Sequence, residues 1–153
     1  MKIIIPMSGY GKRFLDAGYE KAKPLIRVDG KPVIDYVTSM FPGDHTFIFI
    51  CAKEHLEKTN LRTVIEKLEK KSKIISIPQH SLGPVFSVKY IFDEIKDDED
   101  VLVSYCDYYM EWDFKNMIEK IKVGGFAGAV PSYTGFHPHL LRRELYGGVL
   151  VEN

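Results

Sequence analysis

Two glycines and three basic residues near the start of the chain have the types and spacing that suit a polyphosphate ligand. The glycines are Gly9 and Gly11, and the cations are Lys12, Arg13 and Lys23. Glycine lets backbone N–H groups approach a phosphate closely, and the cations balance its negative charge. A tight turn with solvated cations would have the same composition. The segment is therefore a candidate phosphate site that needs support from the rest of the chain.

Two familiar phosphate-binding motifs do not fit this segment. A dinucleotide-binding fingerprint needs a third glycine where Phe14 stands. It also needs an acidic residue at the end of the second strand, where this chain has Ile50-Cys51. A P-loop needs Ser or Thr after Gly-Lys, but Arg13 follows Gly11-Lys12. Both motifs are therefore excluded.

Strand and helix patterns alternate along the chain, which predicts an α/β fold. We expect a Rossmann-like, mainly parallel mixed sheet with helices on both faces. The predicted strands are 2–6, 46–51, 73–77, 101–104, 126–130 and 147–151. The predicted helices are 33–41, 54–71 with a break near residues 59–60, 84–95 and 113–121, and one helical turn is expected near Arg13.

Ligands of parallel sheets bind beyond the carboxyl ends of the strands. This rule places four segments at one edge of the predicted sheet. They are Ser8 to Arg13, Cys51-Ala52, Gln79 to Gly83, and Asp107.

Size and composition narrow the class of protein. The 153 residues suit a single domain over 1–153. Lys+Arg and Asp+Glu both number 21, and this neutral balance argues against a nucleic-acid-binding protein. Cys51 and Cys106 lack metal-ligand spacing and are predicted to be buried free thiols. We see no signal peptide or membrane span and expect a cytoplasmic protein without membrane partners.

The segment from Ile3 to Ile34 resembles the N-terminal signature of the sugar-phosphate nucleotidylyltransferases, which have a GT-A-like fold. Three pieces carry the resemblance, in the family's order: Gly9-Tyr10-Gly11-Lys12-Arg13, Lys23-Pro24-Leu25 and Gly30-Lys31-Pro32. The chain departs from the family by having Met7-Ser8 where an alanine pair is usual.

The resemblance continues beyond this segment. Gln79 to Gly83 resembles the family's base-reading loop, Asp107 follows the fourth predicted strand as the family's Mg²⁺ ligand does, and residues 146–149 resemble its sugar-contacting segment. The family's later Glu-Lys pair and second metal-binding aspartate are missing before Asn153. Because Asn153 also follows directly on a predicted strand, we expect the chain to be a family member without its C-terminal portion.

The resemblance implies transfer of a nucleoside monophosphate from an NTP to a sugar phosphate or similar phosphorylated acceptor. Pyrophosphate would leave, Mg²⁺ would be the cofactor, and the product would serve the synthesis of surface-polysaccharide precursors. The implied site residues are Arg13 and Lys23 for catalysis; Met7, Ser8, Gly9, Gly11, Lys12, Gln79 and Gly83 for the nucleotide; Tyr146 and Gly148 for the acceptor; and Asp107 for the metal.

Two other functions stay open at this stage. A non-catalytic nucleotide-binding domain of the same fold is favoured by the missing C-terminal portion. A GT-A glycosyltransferase usually carries a D-x-D metal motif after the fourth strand, whereas this chain has Asp107 alone there. The base, the acceptor and the oligomeric state are not determined by the sequence.

Two weaker patterns have structural as well as functional interpretations. His137 and His139 could ligate a metal, but a surface or substrate-pocket loop explains them better. The aromatic cluster after the fourth predicted strand suits either a sugar pocket or packing at the end of the sheet. Its members are Tyr105, Tyr108, Tyr109 and Trp112.

Overall fold

A four-stranded parallel sheet forms the centre of the fold in the computed structural model, which describes residues 1–132. The strands are β1 (Lys2–Met7), β2 (Arg27–Val28), β3 (Lys31–Pro32), β4 (Thr46–Ala52), β5 (Ser72–Ile77) and β6 (Val101–Val103). The α-helices are α1 (Lys12–Asp16), α2 (Val33–Ser39), α3 (Lys53–Lys58), α4 (Leu61–Glu66), α5 (Pro84–Val88) and α6 (Phe114–Gly124), and the 3₁₀ helices are Lys23–Leu25 and Lys89–Glu94.

Strand β1 lies inside the sheet, whose order is β5-β4-β1-β6. It pairs in parallel with β4, where Ile3 is opposite Phe47, and with β6, where Ile4 is opposite Val103. The short strands β2 and β3 form a separate antiparallel ladder. The predicted α/β fold with a mainly parallel sheet is confirmed. Because the four strands are parallel, the loops that follow them all leave at one edge of the sheet.

The two faces of the sheet bury different kinds of side chain. One face is aliphatic, with Ile4, Ile48 and Ile50 packed on Ile77 and Ile91. Side chains alternate between the faces of a strand, so Phe47 and Phe49 lie on the opposite face.

An aromatic cluster packs on that second face. The ring of Phe41 lies 6.4 Å from Phe47, 6.1 Å from Trp112 and 5.6 Å from Phe114. Burial on both faces is what the apolar runs of β1 and β4 predict for central parallel strands.

The predicted break in the second helical region has a simple cause in Thr59. Its hydroxyl donates to the carbonyl of His55 at 2.6 Å and accepts from the N–H of Leu61 at 3.2 Å. One side chain therefore satisfies the end of α3 and the start of α4. The region ends at Glu66, earlier than predicted, and Glu69 has a positive φ of 53°.

The prediction of a strand over residues 126–130 is wrong. The structure has no strand there, and the side chains of Phe126 and Val130 are 65% and 79% exposed. The N–H of Phe126 donates to Ile121 instead, in a turn in which Gly125 has a φ of 63°. An apolar run becomes a strand only where it finds a pairing partner and a face to bury, and within residues 1–132 this run has neither.

The helix predicted over residues 84–95 is divided into α5 and the 3₁₀ helix Lys89–Glu94. The segment is rich in β-branched and aromatic residues, which lose side-chain freedom in an α-helix. It still buries Ile91 completely, and Ile91 packs in the aliphatic cluster.

The chain divides into two compact units, Met1–Phe114 and Lys115–Asn153. Within residues 1–132, the second unit contains the turn at Gly125 and all of α6 except Phe114, which belongs to the first unit. No helix of the described residues is both long and apolar enough to cross a membrane. The predictions for the strand 147–151 and for His137, His139, Tyr146 and Gly148 lie outside the described residues.

Phe41→Ala should destabilise the protein by about 3–5 kcal/mol, because it leaves a cavity among packed rings. Trp112 is the single tryptophan and contacts Phe41, so its fluorescence reports the unfolding transition in urea. The control is Phe92→Ala at a 55% exposed ring, which should change the free energy of unfolding by less than about 0.5 kcal/mol. Equal effects of the two substitutions would contradict this description of the core.

Candidate active site

The segment after β1, residues 8–13, is the glycine loop. It leaves the sheet at the buried Ser8 and turns into α1 at Gly11, which has a left-handed φ of 65°. The carbonyl of Gly11 accepts the N–H groups of Phe14 and Leu15 at 2.8 and 3.2 Å. This conformation strains residues that carry a Cβ, so Gly11 is required by the turn itself.

The structure places the predicted nucleotide-binding residues of this segment in two environments. Met7 and Ser8 are buried, with 5% and 1% of their surface exposed, so their side chains are largely inaccessible to a ligand. Gly9, Lys12 and Arg13 are exposed. Gly9, in contrast to Gly11, has no positive φ, and a Cβ there would meet only the carbonyl oxygen of His80, at 4.0 Å.

The segment after β5, residues 79–83, is the glutamine loop, and it lies against the glycine loop. Gly9 and His80 form a parallel bridge, and the N–H of His80 donates to the carbonyl of Ser8 at 3.4 Å. The Gln79 amide nitrogen donates to the carbonyl of Gly9 at 3.4 Å, and the Tyr10 hydroxyl donates to the carbonyl of Gln79 at 3.5 Å. The structure thus brings the predicted phosphate-binding and base-reading segments together.

Lys23 and Asp107 form an ion pair at the same edge. The Lys23 Nζ lies 2.6 Å from Asp107 Oδ2 and 4.7 Å from the centre of the Phe14 ring. The two charged side chains are 29% and 26% exposed. Lys23 follows the glycine loop and Asp107 follows β6, so the contact joins segments 84 residues apart. The sequence assigned both residues to the site, and the structure brings them into contact.

Cys106 lies beside this ion pair but is unsuited to chemistry. Burial raises the pKa of its thiol to about 12, and the negative charge of Asp107 acts in the same direction. Burial also raises the pKa of Cys51 to about 12. Both residues are free, buried thiols, as predicted. A thiol that stays protonated at neutral pH is a poor nucleophile, because the thiolate is the reactive form.

His55, at the start of α3, also contacts the glutamine loop. Its Nε2 lies 3.3 Å from the amide nitrogen of Gln79. The Gly9 carbonyl can only accept a hydrogen bond, so it fixes the Gln79 –NH₂ group toward itself, and His55 Nε2 must then be an acceptor too. The side-chain oxygen of Gln79, Oε1, makes no hydrogen bond within residues 1–132 and is left as an acceptor.

The pKa of His55 agrees with a neutral ring. Burial lowers it, against a smaller opposing effect of the Glu54 carboxylate. A neutral imidazole can accept at Nε2, whereas the protonated ring would present a donor to the donor group of Gln79.

Within residues 1–132, no three His, Cys, Asp or Glu side chains lie close enough together to hold a metal ion. Asp107 therefore offers a single carboxylate. Mg²⁺ commonly binds through one or two carboxylates together with substrate phosphates, so this donor set fits a metal that arrives with a polyphosphate.

The predicted aromatic cluster divides into packed and exposed members. Trp112 packs on Phe41, and its ring N–H donates to the carbonyl of Met40 at 3.0 Å. Tyr105, Tyr108 and Tyr109 are exposed at 62%, 44% and 49%. Trp112 therefore has a packing role. The three tyrosines lie close to Asp107 in sequence and remain accessible.

Known proteins resemble this chain over most of its length, and they identify its class. The chain belongs to the MobA-like NTP transferase domain family, which matches residues 3–151. A protein of Sulfolobus acidocaldarius described as a mannose-1-phosphate guanyltransferase is 30% identical over 118 residues, which are 76% of this chain and 32% of that protein.

Solved structures match the fold. The UDP-glucose pyrophosphorylase from Acinetobacter baumannii has a TM-score of 0.61 at 21% identity, covering 81% of this chain and 53% of its own. The nucleoside-diphosphate-sugar pyrophosphorylase from Vibrio cholerae has a TM-score of 0.58 at 21% identity, covering 76% of this chain and 52% of its own. The chain thus spans about a third of the curated relative and about half of these structures. The expected family and fold are confirmed.

Gly11→Ala should lower the free energy of unfolding by about 1–2 kcal/mol, because alanine would occupy a left-handed conformation. Gly9→Ala is the matched control and should change it by less than about 0.5 kcal/mol, since φ and space both permit a methyl group. Urea denaturation followed by circular dichroism measures both. A larger loss for Gly9→Ala would contradict the described conformation of the loop.

His55 should titrate below its ordinary pKa of 6.5 in a pH series of NMR spectra. The folded state favours the neutral ring, so its contribution to stability is complete above pH 6.5 and is lost as the pH falls through the lowered pKa. Glu54→Gln should lower this pKa further, because the Glu54 charge opposes the shift. A His55 midpoint at or above 6.5 would contradict the arrangement with Gln79.

Proposed function

We propose that this chain forms the nucleotide-binding part of a sugar-phosphate nucleotidyltransferase. The reaction transfers a nucleoside monophosphate from an NTP to a sugar phosphate or similar phosphorylated acceptor. A phosphate oxygen of the acceptor attacks the α-phosphorus, the bond from that phosphorus to the α–β bridging oxygen breaks, and pyrophosphate leaves with the electron pair.

The observation that carries the proposal is the contact between Lys23 and Asp107 at 2.6 Å. A cation and a carboxylate meet beside a glycine loop, at the edge of a parallel sheet where ligands of such sheets bind. The glutamine loop is bonded to the same glycine loop. Groups suited to a metal, a phosphate and a base therefore lie along one edge of the first compact unit.

The chemistry asked of these residues is positioning and neutralisation of charge. The backbone at Gly9 and Gly11, continuing from Met7 and Ser8, would donate N–H groups to the triphosphate. Lys12 and Arg13 would bind the β- and γ-phosphates and the leaving pyrophosphate. Lys23 would stabilise charge on the α-phosphate. The base would be held by Gln79 and Gly83.

Asp107 would hold Mg²⁺ together with the phosphates of the nucleotide. The metal would supply further neutralisation of the phosphate oxygens. Asp107 and Lys23 neutralise each other in the structure, so each side chain has a charged partner. On binding of a metal–nucleotide complex, Asp107 would exchange the Lys23 cation for the metal cation. Lys23 would exchange the Asp107 carboxylate for a phosphate.

For binding the acceptor we propose Tyr146 and Gly148, which lie outside the described residues. We place the reaction in the cytoplasm, in the synthesis of precursors for surface polysaccharides. The free thiols of Cys51 and Cys106 support a reducing compartment.

The proposed function is tested by pyrophosphate release from each of the four NTPs with Mg²⁺ and a panel of sugar and polyol phosphates. All four are needed because the relatives' names differ in base, from a guanyltransferase to a CTP transferase. Pyrophosphate release that depends on both substrates supports the proposal. Nucleoside diphosphate release from nucleotide sugars would indicate a glycosyltransferase, and nucleotide binding without turnover a non-catalytic domain; either result overturns the proposed reaction.

Lys23→Ala should lower kcat by about 100-fold, the typical cost of removing one group that stabilises charge in the transition state. The Kd for the Mg²⁺–NTP complex, measured by calorimetry, should change much less than kcat. Lys21→Ala removes an exposed lysine two residues away and serves as the matched control. Equal losses in kcat and in nucleotide affinity for Lys23→Ala would contradict its role at the α-phosphate.

A further inference from the structure

A buried polar cluster lies under the contact between the glycine and glutamine loops. The hydroxyl of Ser8 lies 2.7 Å from that of Ser87 and 3.0 Å from His80 Nε2, and Ser87 Oγ lies 3.0 Å from the same nitrogen. Only 1% of Ser8 and 2% of Ser87 is exposed. The Phe86 ring packs on the imidazole in a T-shaped contact, with 4.8 Å between ring centres. The two serine hydroxyls are therefore enclosed, and each of the three polar atoms lies within hydrogen-bond distance of the other two.

Each member of the cluster comes from a different segment of the proposed nucleotide site. Ser8 begins the glycine loop, His80 belongs to the glutamine loop, and Ser87 lies in α5, which follows that loop. Ser8 is 72 residues from His80 and 79 from Ser87. The His80 ring thus contacts its own loop at Leu82 and the glycine loop at Ser8, and it does so from a partly buried position, whereas the Tyr10 hydroxyl reaches Gln79 from an exposed one.

A backbone contact fixes the tautomer of His80. The N–H of Leu82 donates to His80 Nδ1 at 3.2 Å, so Nδ1 must carry a lone pair. In the neutral ring the proton then lies on Nε2, which donates to the serine hydroxyls. One side of the ring thereby shapes the glutamine loop, and the other binds the start of the glycine loop.

This arrangement excludes a nucleophilic role for the two serines. A general base must accept the hydroxyl proton, but Nε2 already carries one. The group that contacts Nδ1 is the backbone N–H of Leu82, which is a donor. A histidine that activates serine needs a hydrogen-bond acceptor at that position, to hold the ring proton on Nδ1 and leave Nε2 free to accept. Both hydroxyls are also inaccessible to a substrate.

We propose that His80 is a positioning residue that holds the glycine and glutamine loops in one fixed arrangement, so that the triphosphate and the base of one NTP bind together. The proposal rests on the proposed function. Its physical basis is preorganisation: two loops already fixed relative to each other lose less conformational freedom when one ligand contacts both. A ligand that contacts only the glycine loop gains nothing from this link.

The test measures how three kinds of ligand bind to wild-type protein and to His80 variants, by calorimetry with Mg²⁺. The ligands are each of the four NTPs, the matching nucleosides, and inorganic tripolyphosphate, which has no base. His80→Leu should weaken NTP binding by about tenfold, the equivalent of about one hydrogen bond. Tripolyphosphate affinity should change less than about twofold. A parallel loss for tripolyphosphate would show a general structural defect and overturn the proposal.

Two conservative variants separate the two sides of the ring. His80→Gln can return an N–H donor to Ser8 and Ser87, and should restore most of the NTP affinity. His80→Asn can accept only from the N–H of Leu82, and should not. Recovery with Asn alone would overturn the proposal, because His80 would then act on its own loop only. His45→Gln, at another half-buried histidine, is the control and should leave all affinities unchanged.

Hydrogen exchange in the ligand-free protein tests the link without any nucleotide. His80→Leu should speed amide exchange in both loops, residues 8–13 and 79–83, and His80→Gln should slow it again. If wild-type protein binds no NTP but exchange changes in both loops, the proposed function fails and the link stands. Unchanged exchange in the glycine loop overturns the proposal whatever the binding data give. Ser87→Ala, outside both loops, should give a smaller change in the same direction if His80→Leu fails to fold.

Discussion

The parallel pairing of β1 with β4 on one side and β6 on the other is the constraint on which the site depends. The strand is buried on both faces, and a shift by one residue would exchange the side chains that face the aliphatic cluster with those on the opposite face. Its register fixes where the glycine loop begins. Because its neighbours run in the same direction, the segments that follow β4, β5 and β6 leave at the same edge. His55, Gln79 and Asp107 reach the glycine-loop region from these three strands.

The side chains of Lys23, Asp107 and Gln79 at this edge have partners in other segments, whereas the buried His55 Nδ1 has no hydrogen-bond partner within residues 1–132. Lys23 and Asp107 are partly buried and compensate each other's charge, which limits the cost of removing them from water. Gln79 donates its side-chain amide protons to Gly9 and His55, and its side-chain oxygen Oε1 remains as an acceptor. The edge is therefore ordered by contacts between the segments that we propose for metal, phosphate and base. Such contacts would hold these segments in place for the proposed nucleotide.

The sequence was informative where local pattern and chain order decide the structure. The runs at β1, β4 and β5 predict strands because they are apolar and β-branched, and Thr59 predicts the helix break because its hydroxyl competes for backbone groups. The run at residues 126–130 was misleading because a strand also needs a partner, which the run does not contain. His55, Ser87 and the ring of Phe14 were missed as site residues. His55 lies 24 residues from Gln79, and Ser87 lies 79 residues from Ser8 and 7 from His80. Neither a single histidine in a charged helix nor a serine among apolar residues carries a motif.

The central claim is that the edge beyond β1, β4, β5 and β6 binds an NTP with Mg²⁺. The most direct measurement is a map of backbone amide NMR shifts on titration of the 153-residue chain with each Mg²⁺–NTP complex. The account predicts that one or more NTPs shift the amides of residues 8–13, 79–83 and 107 together, with a common dissociation constant. Shifts confined to other parts of the chain, or no shifts with any of the four NTPs, would contradict it.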